Sequence, residues 1–193
     1  MKYYKNKKEI ELNRELSILD DFVIKFCNLL DEYVVVSGYV SILFGRSRGT
    51  EGVDLLIPKL SENEFKKLWR KIYLNGFECL NTSKVNESYD YLKSHAIRFA
   101  LKGKPVPNIE FKIIKNDLDK YSSDNKIKVK LKNGALFISP PEMQIAYKLF
   151  LASDKDLEDA KHIYELFKKD LNMKELERLI NNLKVRRNFE KIK

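Results

Sequence analysis

The pair Pro140-Pro141 divides this sequence into two patterns, and the division limits what it can fold into. Proline fixes φ and lacks a backbone N–H, so it opens helices well and continues them badly. Beyond the pair every apolar stretch has helical spacing: "PEMQIAYKLFLA", "SDKDLEDAKHIYELFKKDL" and "NMKELERLINNL" follow in turn. Ser153 and Asp156 form a capping pair at the start of the second. The basic tail "KVRRNFEKIK" reads as a frayed end.

Before the prolines, strands and helices alternate. "YVVVSG" (33–38), "GVDLLIP" (52–58), "FECL" (77–80), "HAIRFAL" (95–101) and "IEFKII" (109–114) read as strands. "KIKVKL" and "ALFIS" flank "KNG" and read as a hairpin or two edge strands. Apolar residues three and four apart predict an amphipathic helix over about 8–32. A short helix over 39–45 stops at Gly45, and Ser61 with Glu64 opens another that ends at Gly76. Residues 81–92 and 115–125 are polar and read as loops, and "KGKPVPN" as a turn. Strands followed by a run of helices imply an α+β fold: an α/β part over 1–139 and a helical segment over 140–193.

Composition narrows the partners. The 193 residues carry 37 Lys and Arg against 28 Asp and Glu, a net charge of +9. That excess favours polyanions such as nucleotides or RNA, or is simply lysine spread over solvated faces. No apolar run approaches the roughly 20 residues that span a bilayer, and the N-terminus has no apolar signal core. The expected location is the cytoplasm, without membrane attachment. Cys27 and Cys79 sit in apolar surroundings and read as reduced core residues.

The chemistry centres on two strands. Side chains two apart on a strand share a face. Asp54 therefore points with position 52, which is Gly52, while Glu51 points with Val53 to the other face. If "IEFKII" is a neighbour, Glu110 faces Asp54. Two such acids can hold Mg²⁺, which takes one or two carboxylates plus waters and phosphates. In the alternative, each acid is exposed or paired with a lysine. Ser37-Gly38 lies between a strand and a short helix, where free N–H groups can receive a phosphate.

The stretch "VVVSGYVSILFGRSRGTEGVDLLI" (34–57) resembles the DNA polymerase β-like nucleotidyltransferase superfamily, and most closely its small prokaryotic AbiEii-toxin-like and stand-alone branch. Ser37-Gly38, Gly45, Arg46, Arg48, Thr50, Glu51 and Asp54 fall in the family's order. "SPPEMQIAYKLFLASDKDLEDAKHIYEL" (139–166) is similar to the same branch's C-terminal signature, with Lys148, Lys155, Asp156 and Asp159 matching. The resemblance implies a nucleotidyltransferase-type mixed sheet with flanking helices. It implies transfer of a nucleoside monophosphate from an NTP to a hydroxyl of RNA, such as tRNA, or of protein, with Mg²⁺ or Mn²⁺ as cofactor. It also implies a setting such as a toxin–antitoxin or defence system.

By that correspondence Asp54 and Glu110 are the catalytic and metal-binding acids. Ser37, Gly38, Arg46, Arg48, Thr50 and Lys148 are the nucleotide-binding residues. Each also has a plain alternative: Ser37 as a helix cap, Arg46 and Arg48 on a solvated turn, Thr50 bonded to backbone, Lys148 snorkelling. The family's first acid belongs at position 52, so Gly52 makes the Asp-x-Asp motif degenerate, and only a bulge would bring Glu51 round to replace it. The expectation is weak or lost transfer, with a non-catalytic nucleotide-, RNA- or partner-binding module as the alternative. Asp156 and Asp159 are expected to cap and orient helices. Arg186, Arg187 and Lys191 offer an RNA contact or a frayed tail.

Overall fold

The computed structural model describes residues Met1–Lys193. Two short strands, β1 (Lys2–Tyr4) and β2 (Glu9–Glu11), precede helix α1 (Ile18–Cys27). Strand β3 (Val34–Val36) runs into α2 (Gly38–Leu43) and then β4 (Gly52–Ile57). Next come α3 (Glu62–Leu74), β5 (Phe77–Cys79), α4 (Val85–Leu92), β6 (Ile97–Leu101), β7 (Lys104–Ile113) and α5 (Asp117–Asp124). The hairpin of β8 (Ile127–Leu131) and β9 (Gly134–Ile138) leads to four helices: α6 (Pro141–Leu151), α7 (Asp154–Phe167), α8 (Met173–Leu183) and α9 (Arg186–Ile192).

Five local expectations need correction. The helix predicted over 8–32 is shorter, because Ser17 caps α1 in a box with Asp20. Ile10, counted to its face, is a buried strand residue of β2, which pairs in parallel with β8. The loops at 81–92 and 115–125 contain α4 and α5. Asn116 starts α5 by accepting from the N–H groups of Leu118 and Asp119. The turn at 102–108 is mostly the start of β7. The tail is the helix α9, anchored by buried Phe189, which meets Tyr164 edge-on at 5.5 Å.

The nine strands form one mixed sheet in the order β1-β2-β8-β9-β3-β4-β7-β6-β5. At its centre β4 runs antiparallel to β3 and parallel to β7. Alternation along β7 divides its side chains between two faces. Ile109, Phe111 and Ile113 enter the core, where Phe111 packs against Phe26 of α1 and Phe99 of β6. Glu110 and Lys112 point the other way. The apolar core is continuous across the Pro140-Pro141 boundary, and Ile145, Leu149, Ile163 and Phe167 belong to it. No helix is long and apolar enough to cross a membrane.

Candidate active site

Register brings the two predicted acids together. Asp54 is the direct partner of Glu110 across β4 and β7, and of Val36 across β3 and β4. One residue beyond Val36 stands Ser37, and Ser37, Asp54 and Lys112 line one cleft of 230 Å³. Its opposite wall comes from Leu118 and Asp119 of α5 and from Gln144 and Tyr147 of α6.

Lys112 decides the chemistry of this site. It lies two residues after Glu110, on the same face of β7, and its ammonium reaches both acids. It donates to Asp54 Oδ1 and approaches Glu110 Oε2 at 3.3 Å. Arg98 of β6, opposite Glu110, donates to its Oε1 at 3.1 Å. Two carboxylates thus meet two cations. Burial acts to raise the Glu110 carboxyl, but Lys112 and Arg98 prevail and hold it below the usual glutamate range. Burial acts to lower the Lys112 ammonium, but Asp54 and Glu110 prevail and raise it.

Position 52 is closely packed. A Cβ on Gly52 would lie 3.2 Å from Asn108 Oδ1 and 3.5 Å from Glu110 Oε1. Asn108 Oδ1 is buried without a hydrogen-bond partner. A side chain at 52 would therefore point at Glu110, as the resembled family's first acid must. Glu51 does not replace it. It precedes β4, is exposed, forms no ion pair and does not line the cleft; its backbone carbonyl accepts from the Asn108 N–H at 2.8 Å.

The residues present do not fit a two-metal centre. Gly52 offers no ligand, Asp54 and Glu110 are paired with an ammonium, and no three His, Cys, Asp or Glu side chains converge on a point. A metal ion would have to displace Lys112 from both carboxylates.

The remaining predicted residues lie elsewhere, except Ser37. Arg46, Arg48 and Lys148 converge on Asp159, which is fully buried. Arg46 bonds Asp159 and Glu158; Arg48 reaches Asp159 at 2.5 Å; Lys148 reaches it at 3.0 Å and Asp156 at 2.6 Å. Six charged groups balance in sign and tie the loop after α2 to α6 and α7. Burial acts to raise the Asp156 carboxyl, but Lys148 and Ser153 hold it low. Ser153 caps α7 through the Asp156 N–H. Gly38 gives Arg48 its place, since a Cβ there would lie 3.0 Å from the guanidinium. Thr50 Oγ1 donates to the Gly52 carbonyl at 2.7 Å.

Ser37 is strained. Its φ of 66° and ψ of −143° belong to glycine territory, and its side chain makes no cap bond to α2. Ser37→Gly is expected to stabilise the fold by about 1 kcal/mol. A denaturant midpoint checks this, and an unchanged or lower midpoint would remove the strain argument.

Lys112, Arg98 and Gln144 were not predicted. Lys112 had a readable signal, the strand period from Glu110; Arg98 and Gln144 depend on pairing and burial that no local pattern carries.

Solved structures share this architecture. An antigenic nucleotidyltransferase-like protein from Paracoccidioides brasiliensis aligns over 88% of this chain and 89% of its own, with TM-score 0.53 and 17% identity. The antibiotic-resistance factor ANT(2'')-Ia aligns over 89% of this chain and 94% of its own, with TM-score 0.53 and 11% identity. This chain has a nucleotidyltransferase-type fold. No protein-family model and no curated protein sequence matches it. At these identities the likeness establishes the fold alone.

Proposed function

We propose that this protein binds a nucleotide in the cleft beside β4 and β7 without a catalytic metal ion, and that it does not transfer the nucleotidyl group. The observation that carries this reading is the Lys112 ammonium between Asp54 and Glu110, near Gly52, which contributes no side chain. Two-metal transfer requires carboxylates free to hold cations that orient the attacking and leaving oxygens. Here a lysine supplies a fixed positive charge in their place. Already paired with Asp54 and Glu110, this ammonium cannot activate an acceptor hydroxyl as a metal does. Ser37 supports the binding half of the reading, because strain at a cleft residue with an uncommitted hydroxyl is a mark of ligand contact.

The test combines α-labelled NTPs, Mg²⁺, a tRNA pool and candidate protein acceptors with calorimetric NTP titration. The expected result is no labelled acceptor, together with NTP binding that a chelator leaves unchanged. Labelling by the unaltered protein that Asp54→Ala abolishes would overturn the proposal. Salt-dependent RNA binding with no NTP binding at millimolar ligand would point instead to an RNA-binding module.

A further inference from the structure

The two most exposed large apolar side chains of the protein, Ile18 at 88% and Leu74 at 79%, stand at the same end of the sheet. Ile18 opens α1 and lines one cavity of 370 Å³ with Leu101, Lys104 and Val106 of the β6–β7 hairpin. Val106 is itself 53% exposed. The hairpin turns at Lys102 and Gly103, and the Lys102 N–H donates to the Gly76 carbonyl at 3.0 Å, two residues beyond Leu74. Phe77, which pairs with Leu101, joins the two sides. Phe22 of α1 packs on its ring at 5.9 Å, and the Lys25 ammonium lies 5.7 Å from its centre.

Apolar side chains scattered singly over a surface need no explanation. These three share one end with a set of free cations. Lys25, Arg70, Lys71, Lys102 and Lys104 are exposed, and none forms an ion pair. Arg70 and Lys71 stand one turn before Leu74 on the same side of α3. Two acids oppose them: Asp21, which lines the cavity, and Glu78, whose carboxylate accepts from the Gly103 N–H at 2.8 Å. This end is therefore cationic and carries aliphatic tips. None of these residues lines the cleft of Asp54 and Lys112.

We infer that this end of the protein docks on an anionic lipid bilayer, with Ile18, Leu74 and Val106 entering the headgroup layer and the lysines meeting lipid phosphates. Each basic side chain near an anionic surface adds attraction, and each apolar tip that enters the layer adds burial. Two such signals together hold a peripheral protein where one alone is marginal. The chemistry favours lipid over other partners. Nucleic-acid bases stack on aromatic rings, and these tips are aliphatic. The centre of a protein interface is depleted of charge, and here lysines stand between the tips.

Co-sedimentation of the full chain with vesicles tests the inference. The expected result is binding to vesicles of phosphatidylglycerol with phosphatidylcholine, weakening as salt rises, and none to phosphatidylcholine alone. Ile18→Ser with Leu74→Ser is expected to weaken binding by about tenfold or more, and Lys102→Gln with Lys104→Gln by about thirtyfold. All four side chains are exposed, so both variants should melt as the unaltered protein does. Lys169→Gln with Lys174→Gln removes the same charge next to Asp170 and Asn172, which lie by β1 at the opposite edge of the sheet. That variant should bind as the unaltered protein does. Absence of sedimentation with the anionic vesicles would overturn the inference, as would binding that Ile18→Ser with Leu74→Ser leaves intact. Equal weakening by the Lys169 and Lys174 changes would also overturn it, because net charge and not this surface would then be recognised. Self-association that Ile18→Ser with Leu74→Ser abolishes, in a protein that ignores vesicles, would assign the surface to a second copy instead.

Discussion

Asp159→Ala is expected to lower stability by about 3–5 kcal/mol, the usual cost of removing one partner from a buried ion network. Asp159 is fully buried and accepts from Arg46, Arg48 and Lys148, which are themselves largely covered. Without it, three cations remain close together, opposed by Asp156 and the more exposed Glu158 alone. The network also fastens the segment after α2 to α6 and α7, so its loss should loosen the joint between the sheet and the C-terminal helices. Asp159→Asn keeps the shape but not the charge and should fall between alanine and the unaltered protein. Chemical denaturation measures both. A loss below about 1 kcal/mol, the range of exposed ion pairs, would mean that the network is solvated and structurally idle.

The second large effect is expected at Lys112, as a gain rather than a loss. In the unaltered protein the ammonium satisfies Asp54 and Glu110. Lys112→Met leaves those two carboxylates side by side with Arg98 alone nearby. The pH dependence of stability should change accordingly. Glu110 titrates below the ordinary 4.5, so its contribution is complete above that value and is lost as pH falls through the lower folded value. Lys112 titrates above the ordinary 10.5, so its contribution is complete below that value and is lost as pH rises through the higher one. The deficit of Lys112→Met should therefore be greatest between those limits and shrink in acid. The pair is partly exposed, which holds the deficit to about 1 kcal/mol. The larger consequence is chemical: two freed carboxylates can accept a divalent cation. Gly52→Asp combined with Lys112→Met adds a third carboxylate beside Glu110, once the Asn108 side chain shifts to admit its Cβ.

Much of this site could be read along the chain, and the missing parts have physical causes. β4 and the C-terminal half of β7 were legible because Val53, Leu55, Ile109 and Phe111 alternate with polar or small residues. Their adjacency was not, because parallel pairing is set by the tertiary fold; the family resemblance supplied it. The gap at Gly52 was visible as sequence, but its filling by Lys112 needed the register of Asp54 with Glu110. α4 and α5 escaped because their buried positions include serines, Ser88, Ser122 and Ser123, which leave hydrophobic periodicity little to count. α1 was drawn too long because Ile10, six residues before Leu16, was counted to its face, while the Ser17–Asp20 box lay inside the predicted span. Arg46, Arg48 and Lys148 matched the family's phosphate-binding positions, yet the carboxylates that neutralise them lie more than a hundred residues from the arginines. Charge type is legible in a sequence; the partner that cancels it is not.

Mn²⁺ binding, followed by electron paramagnetic resonance on the unaltered protein and on Gly52→Asp with Lys112→Met, tests the central claim most directly. With Lys112 in the metal's place, the unaltered protein should leave millimolar Mn²⁺ free, and the double variant should bind it. Stoichiometric Mn²⁺ binding by the unaltered protein, abolished by Asp54→Ala, would contradict the claim.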